Sequence, residues 1–464
     1  MLASQQPGIG KVKVGKADKE KAKEKKTGVK ITAAIFFDGT GNNRFNISKR
    51  AVDPAYKQPG WFTSNDDRES YAQYYSNVAI MQFMHKRKIP GERIASVYME
   101  GIGTTDDGDD DTPGGGFGSG PTGIVDRVTE GIIRLNDQMK DLYDKGKESI
   151  EELTVYTFGF SRGAAASRHF VARRCNSRGR ASNLCEMLQV DPAVVTVKFA
   201  GLFDSVSSFD ESGDEPGDAG WKAKSARHAR DGDKDFRNDQ PELHMAIDDD
   251  QVQHVVQLAA ADEYRLNFSL TDIGSARRRG IGFELLLPGA HSDIGGGYAQ
   301  TMTEERVYNP LRDTVRAFPF FQENGWYGPG QAKDLSYTSR SGRVTNIVGT
   351  RQVSNAYQYV ALSIMLKLAA QNGMQFGSPN SDQQWGIKYV IAGDSPLAAI
   401  KAQLESFALA NYPTNPAKPL IAPLALPQLR WLRQHYLHLS WKDKIGFEMR
   451  QDKAGRPVRL TLPG

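Results

Sequence analysis

Apolar residues fall along the chain in short runs, set apart by helical periodicities and long polar stretches. Val29–Phe37 (VKITAAIFF), Ile94–Met99, Glu152–Phe158, Val195–Phe203 (VTVKFAGLF) and Ile281–Leu287 (IGFELLL) are short runs rich in β-branched and aromatic residues, and each stops at Gly, Pro or an acidic residue. That pattern predicts buried strands. Between them, Thr122–Tyr143 carries Ile124, Val128, Ile132 and Leu135 three and four residues apart, the stripe of one helix face. Helical character is also read at Ser70–Lys86, Ala164–Arg174 and Gln251–Glu263. Strands alternating with helices predict a mostly parallel α/β sheet. Residues 208–240 are polar and Gly/Asp-rich, which reads as a surface excursion. Residues 311–430 carry apolar helical pieces (Ala356–Ala370, Pro396–Ala410) and an aromatic patch (Phe318, Phe320, Phe321, Trp326, Tyr327). They predict a helical cap or accessory module.

The segment 152–174 bears the chemistry. A strand runs into Gly159-Phe160-Ser161-Arg162-Gly163, and a helix starting Ala164-Ala165-Ala166 runs out of it. A Gly-x-Ser-x-Gly pattern is weak alone, but between a strand and a small-residue helix it has the context of a nucleophile elbow. Gly159 and Gly163 leave room for the turn, and Ser161 is the candidate nucleophile. A serine hydroxyl needs a base. Of eight histidines (85, 169, 228, 244, 254, 291, 435 and 438), His291 alone follows an apolar strand directly and lies in a Pro-Gly/Gly-Gly-Gly loop. Asp204 ends a strand between Ser161 and His291, which gives the order Ser, Asp, His of α/β-hydrolases; Asp191 and Asp293 are the less suited acids. For the oxyanion hole, one N–H is expected from Arg162 and another from Gly39 or Thr40, in the loop after the first strand, with Asp38 supporting that loop.

Together these signals predict an α/β-hydrolase-like three-layer sandwich. Its expected divisions are a basic tail without structure over 1–28, a catalytic core over 29–310, the cap or accessory module over 311–430, and a C-terminal segment over 431–464 packing on the core.

Charge separates the tail from the body. The chain of 464 residues has 59 Lys+Arg against 55 Asp+Glu, net +4. Residues 1–30 hold nine lysines and three acids, so the remainder is weakly acidic, which argues against a nucleic-acid partner. No apolar run approaches the ~18 residues of a transmembrane helix, and no secretory signal peptide is seen. The two cysteines, Cys175 and Cys185, could pair, but reduced thiols are the expectation for a protein made in the cytosol. The acidic runs Asp106–Asp111 and Asp210–Asp218 lack EF-hand spacing, and Gly114–Gly120 lacks the Lys-Ser/Thr of a P-loop, so no cofactor is expected, with Ca²⁺ the minor alternative.

Four segments carry a family resemblance: Ile35–Asn43 (IFFDGTGNN), Gly159–Phe170 (GFSRGAAASRHF), Gly201–Ser208 (GLFDSVSS) and Pro288–Tyr298 (PGAHSDIGGGY). In this order they resemble the first family of type VI secretion lipase effectors, the uncharacterised-domain 2235 group. His254–Phe268 also resembles that family's helix ending Asp-Glu-x-Arg, here Asp262-Glu263-Tyr264-Arg265. The resemblance covers residues 31–300. It implies an α/β-hydrolase fold, a triad on Ser161, Asp204 and His291, and phospholipase A-type activity on membrane phospholipid. It further implies delivery from the bacterial cytoplasm to a target cell's periplasm, a type VI secretion tip or adaptor partner and a cognate immunity protein. A carboxylesterase or thioesterase of soluble esters, or a non-enzymatic secreted binding protein, are the alternatives.

Overall fold

The computed structural model describes residues 26–52, 69–111, 120–176, 183–207, 243–247, 250–339, 342–377, 389, 391, 393, 395–414, 416–442 and 447–464. Of the tail assigned to 1–28, residues 1–25 lie outside these, as do the whole 208–240 excursion with Asp210–Asp218 and all but the last residue of Gly114–Gly120.

The strands in chain order are β1 (Thr27–Phe37), β2 (Ile94–Met99), β3 (Glu148–Phe160), β4 (Val195–Phe203), β5 (Val255–Ala260), β6 (Leu270–Thr271), β7 (Gly282–Leu287), β8 (Thr301–Tyr308), β9 (Ala332–Ser339), β10 (Gly342–Ser354), β11 (Leu420–Ile421) and β12 (Thr461–Leu462). Seven form one sheet in the order β11-β7-β5-β4-β3-β1-β2, and every neighbouring pair is parallel. The register Phe37↔Gly159, Phe160↔Phe203 and Ala260↔Leu287 brings the carboxyl ends of β1, β3, β4, β5 and β7 to one edge.

The sheet is buried on both faces, as near-continuous apolar strands require. Side chains alternate between the faces. Ala33, Ile35 and Phe37 join Val97, Met99, Leu153 and Val155 beneath the helices Ile124–Lys140 and Arg162–Arg173. Phe36, Tyr98, Phe158, Phe199 and Leu258 face the helices Asn77–Met84 and Gln358–Gln371. Phe36, Phe158 and Phe199 make a ring ladder across β1, β3 and β4, with centroids 5.2 and 5.8 Å apart. Each fully buried ring contributes about 1.5–3 kcal/mol.

Several sequence expectations are corrected. Gln251–Glu263 is not a helix: Val255–Ala260 is a buried strand slotted between β4 and β7. Buried Gln257 donates to Glu284 and to the Thr271 carbonyl, so its polarity marks an internal hydrogen bond and not a wet helix face. Ser70–Lys86 holds only Glu69–Ala72 and Asn77–Met84, the second capped by Ser76 Oγ on the Ala79 N–H. Residues 301–354 form a three-stranded antiparallel sheet, β8-β10-β9, that the helical reading of this region did not anticipate. Phe318, Phe321, Trp326 and Tyr327 are buried in the same core as Gln358–Gln371. Cys175 and Cys185 are joined in a disulfide, not reduced. The end of one helix and the start of the next are drawn together there by the Cys185 N–H on the Arg174 carbonyl, with Cα atoms 4.9 Å apart.

Candidate active site

The strand–turn–helix at 159–163 is as tight as its glycines suggest. Ser161 has φ 58° and ψ −128°, outside the regions a serine ordinarily occupies. Such backbone costs on the order of 1–3 kcal/mol and persists only where its surroundings enforce it. They do so here. The Ser161 N–H donates to the Phe203 carbonyl at 3.0 Å, tying the elbow to β4. A Cβ on Gly159 would lie 2.2 Å from the Gly163 carbonyl oxygen, and one on Gly163 2.3 Å from that of Asp38. The elbow, its helix and the loop after β1 are therefore in main-chain contact.

Asp204 follows β4 with φ 46°, fully buried. Its Oδ2 meets His291 Nδ1 at 2.5 Å. Its Oδ1 accepts the Ala260 N–H at 2.8 Å. Arg459 grips both oxygens, Nη1 to Oδ1 at 2.7 Å and Nη2 to Oδ2 at 2.8 Å. Burial would push this carboxyl up, but Arg459 and His291 reverse that and hold it well below the usual carboxylate range. Sequence reasoning missed Arg459, because it lies 255 residues away without a motif.

His291 opens the short helix His291–Gly295 and is buried. Its ring stacks at a tilt on Phe160, centroids 4.6 Å apart, and meets Phe268 edge-on at 5.1 Å. The imidazole thus lies against the residue preceding Ser161. No hydrogen bond joins Ser161 Oγ to the ring among the described residues; such catalytic bonds commonly tighten only with substrate. Burial lowers the imidazole's pKa, opposed by Asp204.

The loop after β5 supports the histidine. Glu263 accepts the His291 N–H at 3.1 Å and takes the Arg265 fork and the Ser440 hydroxyl. Burial opposes its ionisation, yet Arg265 brings the carboxyl down to about 2. Asp262 holds the Gly289 N–H at 2.8 Å and pairs with Arg433. Asp293, weighed above as a triad acid, is instead bonded to His438, Nδ1 to Oδ1 at 2.6 Å. That buried pair was not foreseen.

The loop after β1 reaches the same edge. Asp38 is buried and accepts Gly39 N–H at 2.8 Å, Ser76 Oγ at 2.5 Å and the Tyr98 hydroxyl at 2.5 Å. Burial raises its pKa to about 6 against those hydrogen bonds. The N–H of Gly39 is thereby engaged, as are those of Gly41 on Ile102 and Asn42 on Gly39. The Thr40 N–H has no acceptor among the described residues, while its hydroxyl accepts Arg162 Nε at 2.8 Å. In the acidic run, Asp106 holds Asn43, Asp110 the Ser70 N–H and Asp111 Thr122; no group of three or more potential metal ligands occurs among the described residues.

Of the other histidines, His85 bonds Ser96, and His169 stacks on His244 at 5.8 Å, away from this edge. His435 bonds the Trp431 carbonyl on its own helix, His254 directly precedes β5, and His228 lies outside the described residues.

A parallel sheet, a strained elbow serine and an Asp–His pair at its carboxyl edge define an α/β-hydrolase-like fold. Residues 181–318 match the family described as T6SS phospholipase effector Tle1-like, catalytic domain. The structure of the Tle1 effector bound to the VgrG spike from the Type 6 secretion system superimposes with a TM-score of 0.57 at 20% identity, covering 95% of each chain. An uncharacterized protein from Pseudomonas aeruginosa is more distant, with a TM-score of 0.40, 16% identity, and 88% and 53% of the two chains covered. No curated protein sequence matches the chain. The resemblance read from the sequence is thus borne out by the family match and the shared fold.

Proposed function

We propose that the chain is a serine lipid hydrolase of phospholipase A type, cleaving acyl esters of membrane phospholipid as a type VI secretion effector. The observation that carries this reading is the Asp204–His291 pair packed on Phe160, next to a serine held at positive φ. Ser161 Oγ attacks the ester carbonyl carbon while His291 Nε2 takes its proton. The tetrahedral oxyanion collapses, the lysolipid oxygen leaves with that proton, and an acyl-enzyme remains. Water then attacks the acyl carbon, again through His291, and releases fatty acid and free Ser161. Asp204 keeps the Nε2 lone pair facing the serine and stabilises the imidazolium.

The oxyanion is received by the N–H groups of Arg162 and Thr40. Thr40 is preferred to Gly39, whose N–H already serves Asp38. Each such donor is worth about 10²–10³ in kcat. Every step uses the chain's own groups, so the reading needs no metal. The match to an effector solved on its spike supports a secretion-tip partner, and action in a target cell's periplasm calls for a cognate immunity protein.

A second reading, hydrolysis of soluble esters, is favoured by one observation: Phe318, Phe321, Trp326 and Tyr327, aromatics that could hold acyl chains, are buried in the core. Purified wild type and Ser161→Ala on labelled phospholipid vesicles and on a short-chain ester decide between them. Fatty-acid release from vesicles by wild type alone is expected. Equal release by both removes the triad, and turnover of the soluble ester alone removes the phospholipid.

A further inference from the structure

We propose that Arg459 is a positioning residue of the hydrolytic site, fixing the angle and the net charge with which Asp204 meets His291. The inference rests on the Ser161–His291–Asp204 reading above. Four donors saturate the Asp204 carboxylate: the Ala260 N–H, His291 Nδ1 and the two guanidinium nitrogens. A planar fork of this kind fixes a carboxylate in rotation as well as in place, which a point charge does not.

The guanidinium is itself held. Its Nε donates to the Phe268 carbonyl at 3.1 Å and Nη1 also to the Ala260 carbonyl at 2.8 Å. Its backbone is pinned on both sides, by the Val458 N–H on the Arg450 carbonyl and by the Leu270 N–H on the Leu460 carbonyl, where β12 joins β6. The same two residues border the carboxylate and the histidine, Ala260 through its N–H on Asp204 and Phe268 through its ring on His291, so a shift of Arg459 is passed to both.

The charge consequence follows from what faces the pair. Asp204 and Arg459 cancel, and Glu263 and Arg265 on the neighbouring loop cancel. Behind the histidine's helix, Asp293 is bonded to His438, and Asp262 is paired with Arg433. The three arginine–carboxylate pairs around His291 therefore cancel one by one, and the Asp293–His438 pair is untouched by any change at Arg459. Removing the guanidinium leaves one uncompensated carboxylate bonded to the imidazole, which favours the imidazolium. The base form is then lost at a higher pH. A lysine keeps the charge but not the fork.

The test is the pH dependence of kcat/KM on a soluble ester for the full chain and for Arg459→Gln and Arg459→Lys, with folding followed by circular dichroism. Arg459→Gln is expected to lower kcat about 10²-fold, the scale of an ångström of misplacement. Its acid limb should move up by about one pH unit. Arg459→Lys, the variant expected to fold in any case, should lose kcat with the acid limb unmoved. Equal limb shifts in both variants overturn the proposal, as does a wild-type limb in folded Arg459→Gln; a merely structural tie lowers only the folded fraction. Residual turnover by Ser161→Ala is the separate signature that the underlying triad reading has failed.

Discussion

Replacing Gly163 by alanine tests the contact on which the elbow rests. The added Cβ would lie 2.3 Å from the Asp38 carbonyl oxygen and 2.4 Å from that of Phe37, where real Cβ atoms keep beyond 3.0 Å. The gap must open by about 0.7 Å at the least, and neither side yields cheaply. Both oxygens are main chain at the end of β1, which is paired on both flanks by β2 and β3. On the other side, the helix Arg162–Arg173 is packed into the core through Ala164, Ala165 and Ala166. Overpacking of this kind costs about 1–3 kcal/mol. The catalytic cost is larger, because the opening separates the Arg162 N–H from the loop carrying the Thr40 N–H, and a misplacement near 1 Å is worth about 10²-fold in rate. Kinetics on a soluble ester together with thermal unfolding separate the two effects. Gly393→Ala, whose Cβ meets nothing within 4 Å, is the control. If Gly163→Ala keeps kcat within about twofold of wild type, the two loops do not form one oxyanion site.

Three further outcomes are expected. Burial disfavours the imidazolium of His291, so its base form persists below the ordinary histidine range, and the acid limb of kcat/KM should lie below about pH 6.5; a pH–rate profile measures it. Glu263 is held at about 2 from an ordinary 4.5, so it contributes about 3 kcal/mol above pH 4.5, lost as pH falls towards 2. Glu263→Gln should flatten the acid-side loss of stability seen by circular dichroism over that window. The Cys175–Cys185 bridge spans 10 residues and should contribute roughly 2–3 kcal/mol, so a reductant lowers the melting temperature while turnover at 25 °C stays unchanged.

Much of the framework was legible in the sequence, for physical reasons. Ile94–Met99 and Val195–Phe203 were read to the residue, because each apolar run is bounded by charge: Arg93 and Glu100 for the first, Asp204 ending the second. Val255–Ala260 was misread because its alanines favour helix and Gln257 imitates a wet position, while the slot between β4 and β7 decided the outcome. The strand ends legible in the sequence brought Asp204 and His291 together. Arg459, His438 and Ser440 left no local signal, since each acts on a residue more than a hundred positions away. The Asp-Glu-x-Arg stretch stood out in the sequence, but its use, holding the backbone of the histidine loop, emerges only in three dimensions.

The spacing of the partners around Asp204 sets a timetable. The ribosome delivers the chain from its amino end, and local contacts close before distant ones. His291 stands 87 residues beyond Asp204, whereas Arg459 stands 255 beyond it. A nascent chain can therefore bring serine, histidine and aspartate to one edge well before the guanidinium arrives to compensate the carboxylate. In that interval Asp204 is an anion bonded to a neutral imidazole with no cation to compensate it, an unfavourable state once water is excluded. Completion of the site is thus tied to the last strand pairing, β12 on β6, and a chain halted short of it lacks the grip on its own catalytic carboxylate.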